Sequence, residues 1–296
     1  MKEINALAAE YLLPGHTACP GCGAAVAIRH VVKILGKNTV FVIAASCFSI
    51  IAGQLPTRAF ALNVFHSPFA SAAAVGSGLK RGLQALGQDD IQVVVLAGDG
   101  GTFDIGLQGL SAAAERNEDL IFICYDNEAY MNTGMQRSSA TPLGAVSQTT
   151  PQGKKNAKKD IMQIMAAHKI SYAATATAAF PHDLYAKIEK VKKIKGLRFL
   201  HLLCPCPAGW GIGSNETITI SRLAVECGVF PLYEIVQGEL FLNYKPEKLL
   251  PVKAYLQRQR RFASLPAEQI NVMQADIQNY WRELLSKIST GNNPFS

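Results

Sequence analysis

The sequence predicts an α/β protein with a doubly wound, mostly parallel sheet and a helical extension at its C-terminal end. Four apolar runs have the length of strands and show no alternation of polar and apolar side chains. Continuous apolar runs are typical of strands that are covered on both faces, as in parallel sheets. Stretches of helical character lie between these runs, and this alternation of strands with helices indicates a doubly wound sheet.

The predicted elements follow one another in chain order. The strands are predicted over 40–45, 91–97, 120–125 and 197–203, and the main helices over 24–35, 70–86, 107–116 and 181–194. After about Gln237 the pattern changes, and two amphipathic helices are predicted over 246–261 and 267–288. We therefore predict a first domain over residues 1–237 and a C-terminal helical extension over 238–296, which packs on the core or binds a partner subunit.

Composition and charge exclude several classes of protein. Of the 296 residues, 49% are hydrophobic and 17% are charged, as in an ordinary globular protein. The net charge of +7 can attract nucleic acid or an acidic protein, but no arginine-rich or aromatic recognition motif accompanies it, so no nucleic-acid partner is predicted. Two uncharged stretches, 38–57 and 59–79, are interrupted by glycine, proline and polar residues, and we do not expect them to cross a membrane.

The N-terminus and the cysteines indicate the cellular setting. Residues Met1–Asn5 show no cationic segment followed by an apolar run, so no secretory signal is predicted. The chain has seven cysteines, an odd number. Together these features predict a reducing cytoplasm, in which thiols bind metal rather than form disulfides.

The most informative segment begins with Gly98-Asp99-Gly100, directly after the second predicted strand. Glycines let the backbone approach an anion closely, and the start of the helix that follows offers free N–H groups. Asn127 follows Asp99 by 28 residues and ends the next predicted strand. Because ligands of open α/β sheets bind at the carboxyl ends of the strands, both side chains are expected in one crevice. Their oxygens suit Mg²⁺, the kind of cation through which proteins usually hold a diphosphate. A lone Gly-Asp-Gly is a common turn, and it is the pairing with Asn127 that favours this site.

Two cysteines, Cys19 and Cys22, are separated by Pro20-Gly21. Such a pair can bind zinc, carry out thiol–disulfide exchange or hold half of an iron–sulfur cluster, and the pair alone does not decide among these. No second pair has the same spacing, since Cys204 and Cys206 have one residue between them.

These segments resemble the thiamine-diphosphate-binding beta subunits of 2-oxoacid:ferredoxin oxidoreductases. The Gly-Asp-Gly segment with its later Asn-bearing loop resembles the thiamine-diphosphate signature, and three further segments are similar to the pyruvate and branched-chain enzymes: 15–22, 130–136 and 140–145. The resemblance spans about residues 15–233. It implies a thiamine-diphosphate-binding fold for the sheet.

The resemblance also implies roles for individual residues. The Mg²⁺ ligands would be Asp99, Asn127 and the main-chain oxygen of Ala129. Asn132 would face the substrate, and the cofactor would further contact Gly98, Gly100, Asn132 and Thr133. A single 4Fe–4S cluster would be bound by Cys19, Cys22, Cys47 and Cys227, with Cys204 or Cys206 as alternatives for the fourth ligand. Cys124, inside a predicted strand, is expected to be a buried apolar residue.

The activity that the resemblance implies is the oxidative decarboxylation of a 2-oxoacid. Pyruvate is favoured, branched-chain 2-oxoacids and oxalate remain open, and coenzyme A accepts the acyl group in most members. Electrons would pass singly through the cluster to ferredoxin. An alpha subunit would supply the pyrimidine-binding domain and a catalytic Glu, and a ferredoxin-like subunit or domain would carry further 4Fe–4S clusters. The rival interpretations are a thiamine enzyme without a cluster and a zinc-stabilised structural subunit.

Overall fold

Strands and helices alternate along residues 9–288, the part of the chain that the computed structural model describes. The strands are β1 (Thr39–Ala44), β2 (Asn63–Ser67), β3 (Gln92–Gly98), β4 (Ile121–Asp126), β5 (Tyr172–Thr177), β6 (Arg198–Leu203), β7 (Tyr233–Val236) and β8 (Glu239–Leu242). The helices are α1 (Gly23–Leu35), α2 (Cys47–Ala52), α3 (Ala72–Ala85), α4 (Leu107–Glu115), α5 (Ile161–Ala167), α6 (Pro181–Lys193), α7 (Pro207–Trp210), α8 (Thr217–Glu226), α9 (Val252–Leu256) and α10 (Ala267–Ser286). A π-helical turn covers Gly100–Asp104, and a 3₁₀ turn covers Arg260–Phe262.

All eight strands belong to one sheet, in the order β2-β1-β3-β4-β6-β5-β7-β8. Strands β1 to β6 pair in parallel, whereas β7 and β8 pair antiparallel at one edge. The predicted α/β class and mostly parallel sheet are confirmed. The four predicted strands correspond to β1, β3, β4 and β6, and the four main helices to α1, α3, α4 and α6.

The continuous apolar runs result from burial on both faces of the sheet. In β3, Val94 and Leu96 pack into one apolar cluster, and Val93 and Val95 pack into another. Successive side chains of a strand point to opposite faces, so these two clusters are the cores on either side of the sheet. A third cluster, around Trp210, lies against the C-terminal region.

The C-terminal region differs from the prediction in two respects. The sheet continues past Gln237, because β8 pairs with β7; the division into two domains stays a prediction. Residues 246–261 do not form the single predicted helix, since α9 begins directly after Pro251 and is followed by the 3₁₀ turn. Pro251 has no N–H to donate within a helix and therefore favours a helix start at this position. The predicted helix 267–288 corresponds to α10.

Within residues 9–288, no helix combines the length and apolar character that crossing a membrane requires. The prediction that no secretory signal is present rests on residues Met1–Asn5, which lie outside the described residues.

The sheet brings the predicted site residues to one edge. Strands β1, β3, β4 and β6 are neighbours, and their carboxyl ends point the same way. Directly after these ends come Cys47, Asp99, Asn127 and the segment 204–206. The chain leaves β1 toward β2 and leaves β3 toward β4, so the strand order reverses between β1 and β3. Such a reversal opens the crevice in which open α/β sheets bind ligands.

Candidate functional site

A cavity of about 310 Å³ lies at this edge of the sheet. All seven residues predicted to contact a cofactor line it: Gly98, Asp99, Gly100, Asn127, Ala129, Asn132 and Thr133. Cys47, predicted to bind a cluster, lines the same cavity. The structure therefore places a thiol and the candidate diphosphate loops around one space.

The side-chain amide of Asn127 lies beside Asp99 Oδ1 and the main-chain oxygen of Ala129 in the cavity. The amide atom that faces them is 3.0 Å and 2.8 Å away: as the nitrogen it donates to both, and as the oxygen it completes a set of three oxygens. Oxygens that face one another repel unless a donor or a cation lies among them. A carboxylate, an amide oxygen and a carbonyl oxygen are ligands that Mg²⁺ prefers, so the donor set fits this ion.

The environment of Asp99 also favours a cation. Asp99 is buried, and burial together with the nearby Asp126 raises the pKa of its carboxyl well above the usual range. Ser138 Oγ donates a hydrogen bond to Asp99 Oδ2, which leaves Oδ1 facing Asn127. A cation at the converging oxygens would stabilise the ionised carboxylate. The sequence analysis did not identify Ser138, since a serine 39 residues away carries no local signal.

Asn132 and Thr133 lie exposed on a loop that closes on itself above the cavity. Residues Tyr130 and Gln136 pair through their backbones, and the Gln136 side chain donates to Thr133 O at 2.8 Å. The Tyr130 hydroxyl donates to Asp104 Oδ2 at 2.9 Å, which fixes the base of the loop. The loop thus presents Asn132 to the cavity.

The loop that carries Cys19 and Cys22 packs against the segment after β6. Gly23 N donates to Pro205 O at 3.1 Å, and Thr217 Oγ1 donates to Gly21 O. A Cβ atom on Gly23 would lie 2.7 Å from the Pro205 main-chain oxygen, so only glycine allows so close an approach. The first two thiols therefore lie beside the Cys204-Pro205-Cys206 segment.

The thiol of Cys47 faces this group of cysteines. Burial raises its pKa to about 12, and the like charges of three neighbouring thiols add to the rise: Cys206, Cys22 and Cys19. Burial also raises the pKa of Cys206, with Cys22 and Cys19 again among the causes. Within residues 9–288, no three His, Cys, Asp or Glu side chains lie close enough to hold one metal ion.

Cys227, predicted as the fourth cluster ligand, lies elsewhere. It is completely buried in the apolar cluster around Trp210, and its thiol donates to Pro251 O at 3.5 Å. Burial raises its pKa to about 11, with Glu226 as the charged neighbour and no cysteine among the causes. Cys227 therefore stays a prediction as a cluster ligand. The structure places it after α8 in the apolar cluster around Trp210, whereas Cys206, the alternative fourth ligand, is among the neighbours that raise the pKa of Cys47. Cys124 and Cys204 are buried in the apolar cores.

Comparisons with known proteins identify the family of the chain. Residues 44–202 match the family described as thiamine pyrophosphate enzyme, C-terminal TPP binding domain. The chain is 47% identical to pyruvate synthase subunit PorB of Methanothermobacter thermautotrophicus over 280 residues, covering 93% of this chain and 97% of that protein. It is 46% identical to ketoisovalerate oxidoreductase subunit VorB of Pyrococcus horikoshii, covering 96% of this chain and 95% of that protein. The chain belongs to the family of these thiamine-diphosphate-binding beta subunits.

A solved structure of this fold is the 2-oxoglutarate:ferredoxin oxidoreductase from Magnetococcus marinus. It superposes with a TM-score of 0.58 at 23% identity, over 67% of this chain and 66% of that chain. At this level of identity the likeness concerns the fold. The expected membership of the beta-subunit family is thus confirmed by the relatives, and the thiamine-diphosphate-binding fold by the family match and this structure.

Proposed function

We propose that this chain is the beta subunit of a pyruvate:ferredoxin oxidoreductase, which binds thiamine diphosphate with Mg²⁺ and passes electrons through a 4Fe–4S cluster. One observation carries the proposal: the seven candidate cofactor residues and Cys47 line one cavity. A cluster ligand that lies beside the reacting cofactor suits a reaction in which electrons leave one at a time. The relatives named ketoisovalerate oxidoreductase make branched-chain 2-oxoacids the second candidate substrate.

Mg²⁺ would be held by the three converging oxygens of Asp99, Asn127 and Ala129. Gly98 and Gly100 would contact the diphosphate. A side chain on Gly100 would lie 2.3 Å from the Tyr130 ring, so glycine is needed for this ring to pack on the turn. Asn132 and Thr133 would lie over the cofactor, and Asn132 would donate to the substrate from the exposed tip of its loop. These assignments rest on the shared cavity and on the donor set.

The cluster would be bound by Cys19, Cys22, Cys47 and Cys206. Cys47 begins α2 and the other three lie in loops or at helix caps; Cys206 is proposed in the place for which Cys227 was predicted. Iron–sulfur clusters are held by cysteine thiolates, and burial around these thiols would tune the reduction potential.

Thiamine diphosphate, when bound, supplies the carbon nucleophile and the electron sink for decarboxylation. In each turnover one 2-oxoacid loses carbon dioxide and two electrons, which two ferredoxins take up singly. The acyl group would pass to the sulfur of coenzyme A, whose thiol proton is released. The chain's own part is to fix the diphosphate, to orient the substrate through Asn132 and to keep the electron acceptor adjacent.

Partner subunits would complete the enzyme. Exposed apolar side chains surround the mouth of the cavity and the neighbouring edge strand β2, among them Ile50, Leu55 and Phe65. We propose that an alpha subunit covers this surface and supplies the pyrimidine-binding domain and a catalytic Glu. A ferredoxin-like subunit with further 4Fe–4S clusters would then carry electrons to ferredoxin. The free thiols fit a reducing cytoplasm.

The test is an absorption and low-temperature EPR spectrum of the anaerobically purified complex, before and after addition of pyruvate or 2-ketoisovalerate. We expect a 4Fe–4S signal whose reduction requires thiamine diphosphate and is lost in Asp99→Ala. Cys206→Ser should remove or alter the signal of this cluster, and the matched variant Cys227→Ser should retain it. Substrate-independent spectra, or one zinc per chain with no iron, would contradict the proposal and favour the structural subunit.

A further inference from the structure

The segment Asp126–Ala129 presents alternate residues to opposite sides. Asn127 and Ala129 line the cofactor cavity, whereas the side chains of Asp126 and Glu128 are buried behind it. Glu128 has a φ of +64°, a left-handed conformation that residues other than glycine seldom adopt. Such a conformation persists only where surrounding contacts hold it. The position of the proposed Mg²⁺ ligands therefore depends on what holds Glu128.

Hydrogen bonds hold both the main chain and the side chain of Glu128. Its N–H donates to Asp126 Oδ1 at 2.8 Å, and its carbonyl oxygen accepts from Thr141 Oγ1 at 2.6 Å. Lys158 Nζ donates to Asp126 Oδ2 at 2.7 Å and to Glu128 Oε1 at 3.1 Å. These partners all come from the first 160 residues, close to the segment in sequence.

The remaining contact comes from the C-terminal region. Arg261, which is 6% exposed, donates from Nη2 to Glu128 Oε2 at 2.6 Å across 133 residues of sequence. Its guanidinium carbon lies 3.8 Å from the centroid of the Trp210 ring. Trp210 Nε1 in turn donates to the main-chain oxygen of Asn127 at 2.7 Å. Arg261 and Trp210 together hold two consecutive residues of the segment from the side away from the cavity.

Arg261 also offsets negative charge beside a site for an anion. Three carboxylates, Asp99, Asp126 and Glu128, are buried in this region. Lys158 pairs with Asp126 and Glu128, Arg261 pairs with Glu128, and His201 Nε2 lies 2.8 Å from Asp126 Oδ2. Without Arg261 the region would carry one more uncompensated negative charge, which opposes the binding of a diphosphate.

We propose that Arg261, stacked on Trp210, is a positioning residue of the diphosphate and Mg²⁺ site. It fixes Glu128 so that Asn127 and Ala129 face Asp99. The inference rests on the proposed function, and it extends the cofactor site to the C-terminal region that was predicted as an extension.

The experiment measures thiamine diphosphate binding by calorimetry to the intact, cofactor-depleted complex in saturating Mg²⁺, followed by Mg²⁺ titration. The variants are Arg261→Met, Arg261→Lys and the control Arg282→Met, an exposed arginine of α10 that donates to Asn279. We expect Arg261→Met to weaken cofactor binding by about tenfold to a hundredfold, as for loss of a buried charged hydrogen bond. Arg261→Lys should recover part of the affinity, and Arg282→Met should match the wild type. The EPR signal of the cluster should be unchanged in all three.

A second variant separates positioning from general damage to the fold. Glu128→Gln should weaken binding by itself but add little in the Arg261→Met background, because the two residues act as one unit. Cofactor affinity within about twofold of wild type in Arg261→Met, or additive effects of the two changes, would overturn the inference. If Arg261→Met does not assemble, unchanged affinity in Arg261→Lys and Glu128→Gln would overturn it equally. A wild-type complex that binds no thiamine diphosphate would instead refute the proposed function.

Discussion

Asp119, just before β4, compensates buried positive charge at the end of the sheet opposite the cofactor cavity. The side chains of Arg198 and Lys80 are each 2% exposed, and both form ion pairs with Asp119. Asp119→Asn would leave these cations without a counter-charge. Breaking a buried ion pair by removing one partner costs about 3–5 kcal/mol, and since Asp119 itself is 17% exposed we expect the low end, about 3 kcal/mol. For a chain of 296 residues that corresponds to a fall in Tm of roughly 5 °C.

The effect should depend on pH in a defined direction. Burial acts to raise the pKa of Asp119, but the charges of Arg198 and Lys80 outweigh it and the pKa is lowered. A lowered pKa contributes stability that is present above the unfolded value of about 3.9 and is lost as the pH falls through the folded value. The difference in stability between wild type and Asp119→Asn should thus be constant at neutral pH and narrow below about pH 4.

The assay is urea unfolding of the purified protein, with Glu118→Gln as the matched control. Glu118 is the adjacent carboxylate and also pairs with two cations, Arg81 and Arg116, but their side chains are 63% and 47% exposed. The Glu118 side chain is itself 5% exposed, but neutral Gln leaves no buried charge there and water can solvate the two arginines, so we expect a cost below about 1 kcal/mol. Equal losses in the two variants, or a difference between wild type and Asp119→Asn that does not change with pH, would refute the reasoning.

Two further predictions concern the cofactor cavity. Ser138→Ala removes the donor to Asp99 Oδ2 and should raise the Mg²⁺ concentration needed for activity by about tenfold. The increase should be larger at lower pH, because a proton then competes better with Mg²⁺ for the carboxylate. Mg²⁺ titrations at two pH values check this, and an unchanged Mg²⁺ requirement would speak against a metal at Asp99. Gly100→Ala should abolish thiamine diphosphate binding in a folded chain, because the Cβ of the new alanine would lie 2.3 Å from the Tyr130 ring. A binding titration checks this, with Gly78→Ala as the control, since a Cβ on Gly78 has nothing within 4 Å.

The sequence predicted four of the six interior strands, β1, β3, β4 and β6, and the edge at which the cavity lies. Strands β3 and β4 are apolar on both faces, and their polar residues begin where the strands end, so Asp99 and Asn127 could be placed together. Strand β5 was missed because Tyr172 is followed only by alanines and threonines, which form no apolar run of strand character, and its β conformation depends on pairing with β6. Local propensity is a weak guide where tertiary pairing decides.

Long-range contacts account for what the sequence could not predict at the site. Cys206 caps the start of α7 and Cys227 follows α8, so which of the two lies near Cys19 depends on how these helices pack and cannot be predicted from spacing. Arg261 meets Glu128 across 133 residues, through a 3₁₀ turn where a longer helix was predicted. Such contacts leave no periodic pattern in a single sequence.

The contact between Thr217 and Gly21 spans 196 residues and has a consequence for biogenesis. The first two cysteines leave the ribosome long before Cys206, and the loop that bears them finds its neighbours only after β6 and α8 have formed. The thiols proposed to bind the cluster would therefore come together late, once the sheet is nearly complete. A cluster would then be inserted into an almost finished subunit, and its loading would report that the chain had folded correctly.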